Sequence, residues 1–134
     1  MGKITDINRF RDELEGNEKI LKDTLGLDMK KYYRPPEGAY SELNLSQARE
    51  LGYTTVFWSL AYADWDNSKQ PDKDKSLRLL LSRVHPGCVA LLHPTSATNA
   101  AILDDFISEL KTRGYTFKSL DEFPIKSSDC EVTQ

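Results

Sequence analysis

Short apolar runs alternate with amphipathic segments along this chain, and this alternation limits the possible fold more than any other feature. The apolar runs are rich in β-branched and aromatic side chains, which favours strands buried on both faces. The segments between them carry apolar residues at helical spacing. The resulting order, α-β-α-β-α-β-α-β, predicts an α/β fold with about four parallel strands covered by helices. Such a chain resembles the back half of a larger α/β barrel or open sheet.

Glycines, prolines and capping residues set the boundaries of the predicted elements. Asn44 and Gln47 have capping-box spacing, and Thr98 is a candidate cap for the last long helix. Gly26 and Gly114 are helix stops. The helices are predicted at residues 5–25, 43–51, 77–84 and 98–113, the last with a buried face of Ala100, Leu103, Ile107 and Leu110. The strands are predicted at residues 31–34, 54–58, 89–92 and 115–117, with one more turn at 120–123.

Composition excludes several classes of protein. The chain has 134 residues with 18 basic and 21 acidic side chains, and its net charge of −3 argues against a nucleic-acid binder. Two cysteines, Cys88 and Cys130, are too few for a disulfide scaffold. No apolar run is long enough to span a bilayer, and the charged first ten residues do not resemble a signal peptide.

Polar side chains follow three of the predicted strands. Arg34 comes after the first strand, Asp64 and Trp65 follow the second, and His93 follows the third. Because chemistry in parallel α/β folds collects at the carboxyl ends of strands, these residues are expected on one rim. A histidine to move protons, a carboxylate to tune it, an arginine and an aromatic wall together indicate an acid/base site.

Each of these residues also has a structural interpretation. Arg34 could form a surface ion pair, Asp64 and Trp65 could make a loop turn, and His93 could be a hydrogen-bonded core histidine. His85 precedes Pro86-Gly87, where an imidazole can bond the last carbonyls of a helix. Cys88 fits a small apolar residue at the start of a strand. The aromatic residues near the rim suit either sugar rings or packing: Tyr32, Tyr33, Tyr40 and Tyr62.

Three motifs in order resemble the polysaccharide deacetylases with a NodB-homology domain, carbohydrate esterase family 4. They are Tyr-Arg-Pro-Pro-Glu-Gly at 33–38, Val-Phe-Trp-Ser-Leu-Ala-Tyr-Ala-Asp-Trp at 56–65, and Leu-Leu-His-Pro-Thr-Ser at 91–96. The resemblance covers residues 5–123. The segment Gly-Tyr-Thr-Phe-Lys-Ser-Leu-Asp at 114–121 is most similar to the spore-cortex branch, which forms muramic δ-lactam by removing an N-acetyl group from peptidoglycan.

The resemblance implies the C-terminal half of a distorted (β/α) barrel and a metal-assisted amide hydrolysis. In the family, an aspartate and two histidines hold a divalent ion, usually zinc, and a second aspartate is the base. By motif match His93 is the general acid, Asp64 is its carboxylate partner, and Arg34 orients the base. Trp65, Leu91 and Tyr62 are implied to line the substrate pocket, with Leu91 next to the acetyl methyl group.

The sequence departs from the family pattern in the motifs that bind the metal and supply the base. It lacks the Asp-Asp-Gly strand end, and its nearest similar segment, at 119–122, has no glycine. It also lacks two histidines four residues apart, since His85 and His93 are eight apart. We therefore expect no metal site in this chain alone and zinc in the complete domain.

These observations predict part of a polysaccharide or peptidoglycan N-deacetylase that is inactive by itself. Residues 1–123 would form half of the deacetylase domain, followed by a polar tail at 124–134. The expected partners are an N-acetylated glycan and, through uncovered sheet edges, other copies of the chain. The parent enzyme would be secreted or held in the cell envelope of bacteria. The alternative is a non-catalytic glycan-binding or regulatory module derived from the same fold.

Overall fold

The computed structural model of the chain describes residues 4–123, which form short parallel strand pairs and four α-helices. The helices are α1 (Ile7–Leu25), α2 (Glu42–Glu50), α3 (Lys73–Arg83) and α4 (Ala97–Thr112). The strands are β1 (Tyr32–Tyr33) and β2 (Thr54–Thr55), and single 3-10 turns lie at Pro36–Gly38 and Leu120–Glu122. The chain divides into two compact units, Met1–Ser59 and Leu60–Gln134. Cys130 and the predicted tail at 124–134 lie outside the described residues.

The first unit packs α1 and α2 beside a two-stranded parallel sheet. Tyr32 pairs with Thr54 and Tyr33 with Thr55. Phe10 is fully buried and meets Tyr33 edge-on, with ring centroids 5.5 Å apart. The buried core of this unit consists of Phe10, Leu14, Tyr33, Ala48 and Tyr53.

The second unit packs α3 against α4 and pairs Leu60 with Ala90 in a parallel bridge. The Leu91 N–H donates to the Leu60 carbonyl at 2.9 Å, so this bridge fixes the segment that leads to His93. Its buried core consists of Leu60, Leu80, Ile102, Phe106 and Leu110. Cys88 is half-buried against this core, in agreement with its predicted apolar role.

Three helices form within about two residues of their predicted bounds, whereas α3 begins at Lys73, four residues before its predicted start. Two caps also differ from the prediction. Ser41 caps α2 by accepting from the Asn44 N–H, and Ser96 caps α4 in the same way through the Asn99 N–H. Asn44 and Thr98 are therefore not caps; both are buried. The serines take the caps because their short side chains reach the backbone N–H three residues on.

The predicted buried face of α4 is correct at Leu110 and in part at Ile107, which is half-buried, but wrong at Ala100 and Leu103. The structure buries Ile102, Phe106 and Leu110, whereas Leu103 is 44% exposed and Ala100 is also exposed. The buried face continues back to Asn99, which is 6% exposed. Because an asparagine is not expected in a core, the apolar pattern alone misplaces the N-terminal half of this buried face.

The strands are shorter and more exposed than predicted. The ladder around β2 ends at Val56, whose N–H donates to the Tyr33 carbonyl at 2.8 Å. Phe57 is 39% exposed, so the segment is not buried on both faces as predicted. The structure assigns no strand at residues 115–117, within its described range; there Tyr115 only donates back to Leu110.

A tight contact shapes the turn after β1. Gly38 has a φ of +69°, a backbone conformation that residues other than glycine rarely adopt. A Cβ at this position would lie 3.1 Å from the Trp58 ring. The indole of Trp58 therefore packs directly on the glycine of the Pro36–Gly38 turn.

Candidate functional site

Asp64 is the buried centre of a polar network in the second unit. It is 1% exposed, and its two carboxylate oxygens accept hydrogen bonds from two residues. Oδ2 accepts from the His93 backbone N–H at 2.8 Å and from the Asn99 amide at 2.6 Å. Oδ1 accepts from His93 Nδ1 at 2.7 Å. A buried carboxylate with these donors is satisfied as an anion.

The environment of Asp64 favours its ionised form. Burial by itself raises the pKa of this carboxyl group. The hydrogen bonds from the His93 N–H, the Asn99 amide and the His93 ring lower the pKa, and together they outweigh the effect of burial. The net effect holds the pKa of Asp64 below its ordinary value. The group next to the imidazole is therefore a carboxylate over the physiological range.

This carboxylate fixes the orientation and tautomer of His93. Because an ionised carboxylate only accepts hydrogen bonds, Nδ1 must carry the proton toward Asp64. The other ring nitrogen, Nε2, is then left to exchange a proton with a bound molecule. The side chain is 29% exposed, and the Trp65 ring meets it edge-on with centroids 6.4 Å apart. His93 is thus a histidine whose one nitrogen is held and whose ring is partly open.

Asn99, in the first turn of α4, completes the network and was missed by the sequence analysis. Its amide donates to Asp64 and also to the His93 carbonyl at 3.0 Å, and its Oδ1 accepts from the Tyr62 hydroxyl. The sequence offers one indication of this role: Asn99 lies three residues after Ser96, in the first turn of α4, close to the loop that carries His93.

Tyr62 and Leu91, both predicted to line the pocket, lie in the same unit as His93. Burial raises the pKa of the Tyr62 hydroxyl, and the nearby Asp64 charge adds to this effect. Leu91 is half-buried and held by its backbone bond to Leu60. Trp65 is 63% exposed, so its indole is available as a wall for a ligand. The structure therefore brings Asp64 and His93 together, with Trp65 touching the imidazole.

Arg34 lies in the first unit, directly after β1, and is exposed. Its predicted role toward a base aspartate stays a prediction. His85 is exposed, and its Nδ1 lies 3.0 Å from the Pro86 carbonyl rather than from a helix carbonyl. This departs from the predicted helix-end contact, because the chain turns at Pro86 before the imidazole can reach back to α3.

The residues of the site do not fit a metal centre. Among residues 4–123, no three histidine, cysteine or acidic side chains are placed to share an ion. Asp64 is buried and accepts hydrogen bonds from His93 and Asn99, which leaves Nε2 of His93 as the one open ligand atom of this pair, whereas a zinc site needs three or four converging ligands. We also find no helix in the described range that is long and apolar enough to cross a membrane.

Comparison with known proteins agrees with the motifs. The polysaccharide deacetylase family pattern matches residues 1–56. Over 116 residues the chain is 44% identical to the peptidoglycan-N-acetylmuramic acid deacetylase PdaA of Bacillus subtilis, covering 86% of this chain and 44% of that protein. It is 34% identical over 89 residues to the peptidoglycan-N-acetylglucosamine deacetylase PgdA of Listeria monocytogenes, covering 66% of this chain and 18% of that protein.

A solved structure supports the same relationship. The structure of Bacillus subtilis PdaA, a family 4 carbohydrate esterase, superposes with a TM-score of 0.84 at 40% identity, covering 88% of this chain and 50% of that one. The predicted fold class, a partial α/β barrel of this type, is confirmed. The chain spans half or less of the length of these relatives. By sequence and by fold, the chain belongs to the polysaccharide deacetylases of carbohydrate esterase family 4.

Proposed function

We propose that this chain is the C-terminal part of a peptidoglycan N-deacetylase and supplies the general acid of its reaction. The observation that carries the proposal is the bonded pair of Asp64 and His93, in which Nδ1 is held at 2.7 Å and the ring is partly exposed. The reaction is hydrolysis of the acetamide of an N-acetylated amino sugar. Its products are acetate and a free sugar amine.

In this reaction His93 acts at the leaving group. As the bond between the acetyl carbon and the sugar nitrogen breaks, Nε2–H donates its proton to that nitrogen, which leaves as an amine. The Asp64 carboxylate faces Nδ1 and stabilises the positive ring before the proton is given up. Trp65 and Tyr62 wall the pocket, and Leu91 lies beside the acetyl methyl group. Arg34 would orient the base.

The remaining chemistry belongs to residues outside this sequence. We propose that the other half of the domain supplies the base aspartate and the ligands of a divalent metal, zinc, because residues 4–123 of this chain do not form a ligand set. The chain alone is therefore proposed to be inactive and to lack a tight zinc site. Residues 1–123 would form one half of that domain.

The substrate that we propose is the N-acetylmuramic acid of spore-cortex peptidoglycan. The support is the higher identity to the relative named for this sugar, 44% against 34% for the relative named for N-acetylglucosamine. The complete enzyme would act in the cell envelope or outside the cell. A net charge of −3 fits a glycan partner better than a nucleic acid.

Copies of the chain are also proposed to associate with one another. Within the described residues the sheet of the first unit has two strands, so β1 and β2 both lie at an edge of that sheet. Tyr40, Leu43 and Phe57 of that unit are exposed. Light scattering at micromolar concentration should give a mass above the 15.3 kDa of one chain. A monodisperse species at that mass would contradict the proposal.

The function is tested by acetate release from N-acetylated peptidoglycan fragments. The full-length protein encoded with this chain should release acetate in the presence of zinc, and the chain alone should release none. The coding DNA upstream of Met1 should contain an in-frame Asp-Asp-Gly and a His-x-x-x-His motif. A natural start at Met1, together with glycan binding but no acetate release from the native protein, would overturn the proposal and favour a non-catalytic module.

A further inference from the structure

One buried amide holds both members of the proposed acid pair. The two Nδ2 protons of Asn99 go to Asp64 Oδ2 at 2.6 Å and to the His93 backbone carbonyl at 3.0 Å. It is the only residue besides His93 that is bonded to the Asp64 carboxylate within the described part of the chain. Asn99 thus adds a further link between the carboxylate and the loop that carries the imidazole, beside the two direct bonds from His93 to Asp64. We call the two bonds from the Asn99 amide the Asn99 clamp.

The orientation of this amide is determined by its surroundings. A carboxylate and a backbone carbonyl are both acceptors, so the NH2 group of Asn99 must face Asp64 and His93. The Oδ1 atom then faces the Tyr62 hydroxyl, which donates to it. Because Asn99 is 6% exposed, water cannot readily replace these contacts.

The helix that carries Asn99 is itself anchored at its first turn. The Ser96 hydroxyl caps the Asn99 N–H at 3.2 Å and donates to Gln70 Oε1 at 2.9 Å. The Thr98 N–H donates to the same Gln70 oxygen at 3.2 Å, and the Thr98 hydroxyl donates to the Pro71 carbonyl at 2.7 Å. These bonds fix the start of α4 on the preceding loop, so the Asn99 amide has little freedom to move.

We infer that Asn99 is the positioning residue that keeps His93 in its Nδ1–H tautomer. Without its amide, Asp64 Oδ2 keeps the His93 N–H as a donor but loses its second one, and the His93 carbonyl loses its bond to α4. The carboxylate is then held by His93 alone, so it can turn away from Nδ1 and the imidazole can exchange between its two tautomers. This inference rests on the proposed function only for its consequence in catalysis; the tautomer itself is a property of this chain.

The test is imidazole nitrogen NMR on the 15N-labelled chain, at a pH where the ring is neutral. The wild-type His93 should show a protonated Nδ1 and an unprotonated Nε2, and His85→Gln assigns the two rings. In Asn99→Ala the two His93 nitrogens should move toward an average of the tautomers. Asn99→Asp keeps the shape of the side chain but removes both donors, and it should do the same. Asn17→Ala, at an exposed helical asparagine, is the matched control and should leave His93 unchanged.

Two outcomes would overturn the inference. One is a folded Asn99→Ala or Asn99→Asp chain in which His93 keeps a fully protonated Nδ1. The other needs no variant: if the Asn99 side-chain amide of the wild type exchanges its protons as fast as an exposed asparagine, the clamp does not exist. If the clamp is found but His93→Ala leaves turnover of the full-length enzyme unchanged, the proposed function fails and the inference stands.

Discussion

The two units use the same local device for different ends. In each, a serine caps a helix and an asparagine three residues later is buried: Ser41 with Asn44 in the first unit, Ser96 with Asn99 in the second. Asn44 donates to the backbone carbonyl of Ile4 at 2.6 Å. Asn99 donates at the same distance, 2.6 Å, to a carboxylate.

The difference lies in the group that the amide holds. Asn44 joins Gln47, which donates to the Thr5 carbonyl at 3.0 Å, and together they secure the segment before α1. Neither contact includes a titratable group. Asn99 instead holds Asp64, which is bonded to a histidine, so here the same arrangement belongs to a hydrogen-bond network with two titratable groups. In both units the buried asparagine after a serine cap ties two segments of the chain together. The units differ in whether the group that accepts from the asparagine can carry a charge.

The largest expected difference between the two devices concerns catalysis. In the full-length enzyme, His93→Ala should lower kcat by about 10²–10⁴-fold with little change in KM, because a general acid acts in the transition state. His85→Ala, at the exposed second histidine, is the control and should retain normal turnover. The measurement is steady-state acetate release. Near-normal turnover of His93→Ala would show that His93 is not the general acid.

Asp64→Asn tests whether a charge distinguishes the polar network of the second unit from that of the first. Because the pKa of folded Asp64 is lowered, its ionised form stabilises the fold fully above the unfolded value of about 3.9 and less as pH falls through the lower folded pKa. We expect the variant to be about 1–3 kcal/mol less stable at neutral pH, with the gap narrowing below about pH 4. Urea unfolding across pH measures this. Asp105→Asn, on an exposed position of α4, should show no such gap.

Asn99→Ala and Asn44→Ala compare the two clamps directly. Each should cost about 1–3 kcal/mol in the free energy of unfolding, since each removes a donor from acceptors that are buried or partly buried. Only Asn99→Ala should also change the pH dependence: without that donor the pKa of Asp64 rises toward its ordinary value, so stability falls less steeply in acid. The measurement is urea unfolding across pH. If the free energy of unfolding depends on pH in the same way in both variants, the proposed difference between the two asparagines is wrong.

The smallest effects are expected at two tyrosines, the half-buried Tyr62 and the buried Tyr33. Tyr62→Phe removes the donor to Asn99 Oδ1 and should cost about 1 kcal/mol. Tyr33, in the first unit, is 5% exposed, and its hydroxyl has no hydrogen-bond partner among the described residues. Tyr33→Phe should therefore leave stability within about 0.5 kcal/mol or raise it. Thermal unfolding of both variants measures the two losses of stability. A larger loss in Tyr33→Phe than in Tyr62→Phe would contradict this prediction.

The helices could be predicted from the sequence because glycine, proline and spacing mark them locally. The structure begins α1 at Ile7 and ends it before Gly26, as the pattern indicates. The caps were misplaced by two or three residues, since Asn44 and Thr98 have cap-like side chains that the fold uses elsewhere. The strands were overpredicted because the apolar run after β2 continues past the last ladder bond, at Val56.

The site could be predicted only in part. The spacing of Asp64 and His93 after two apolar runs, together with the family motifs, indicated a pair that the structure brings to 2.7 Å. Asn99 carries no local signal of its partners, because these lie 35 and 6 residues away along the chain. Which polar residue a helix buries depends on its rotation against the neighbouring loop. For α4 the apolar pattern alone misjudged that rotation.

The contact between Gly38 and Trp58 has a consequence for how sequences of this kind can diverge. A side chain at position 38 would meet the indole at 3.1 Å and would also strain a backbone with φ of +69°. Shrinking Trp58 removes the first obstacle but not the second, which costs about 1–2 kcal/mol. Substitution at position 58 is therefore expected to come before a change at position 38. Among related sequences, a glycine at 38 should accompany both large and small residues at 58, whereas a tryptophan at 58 should occur mainly with that glycine.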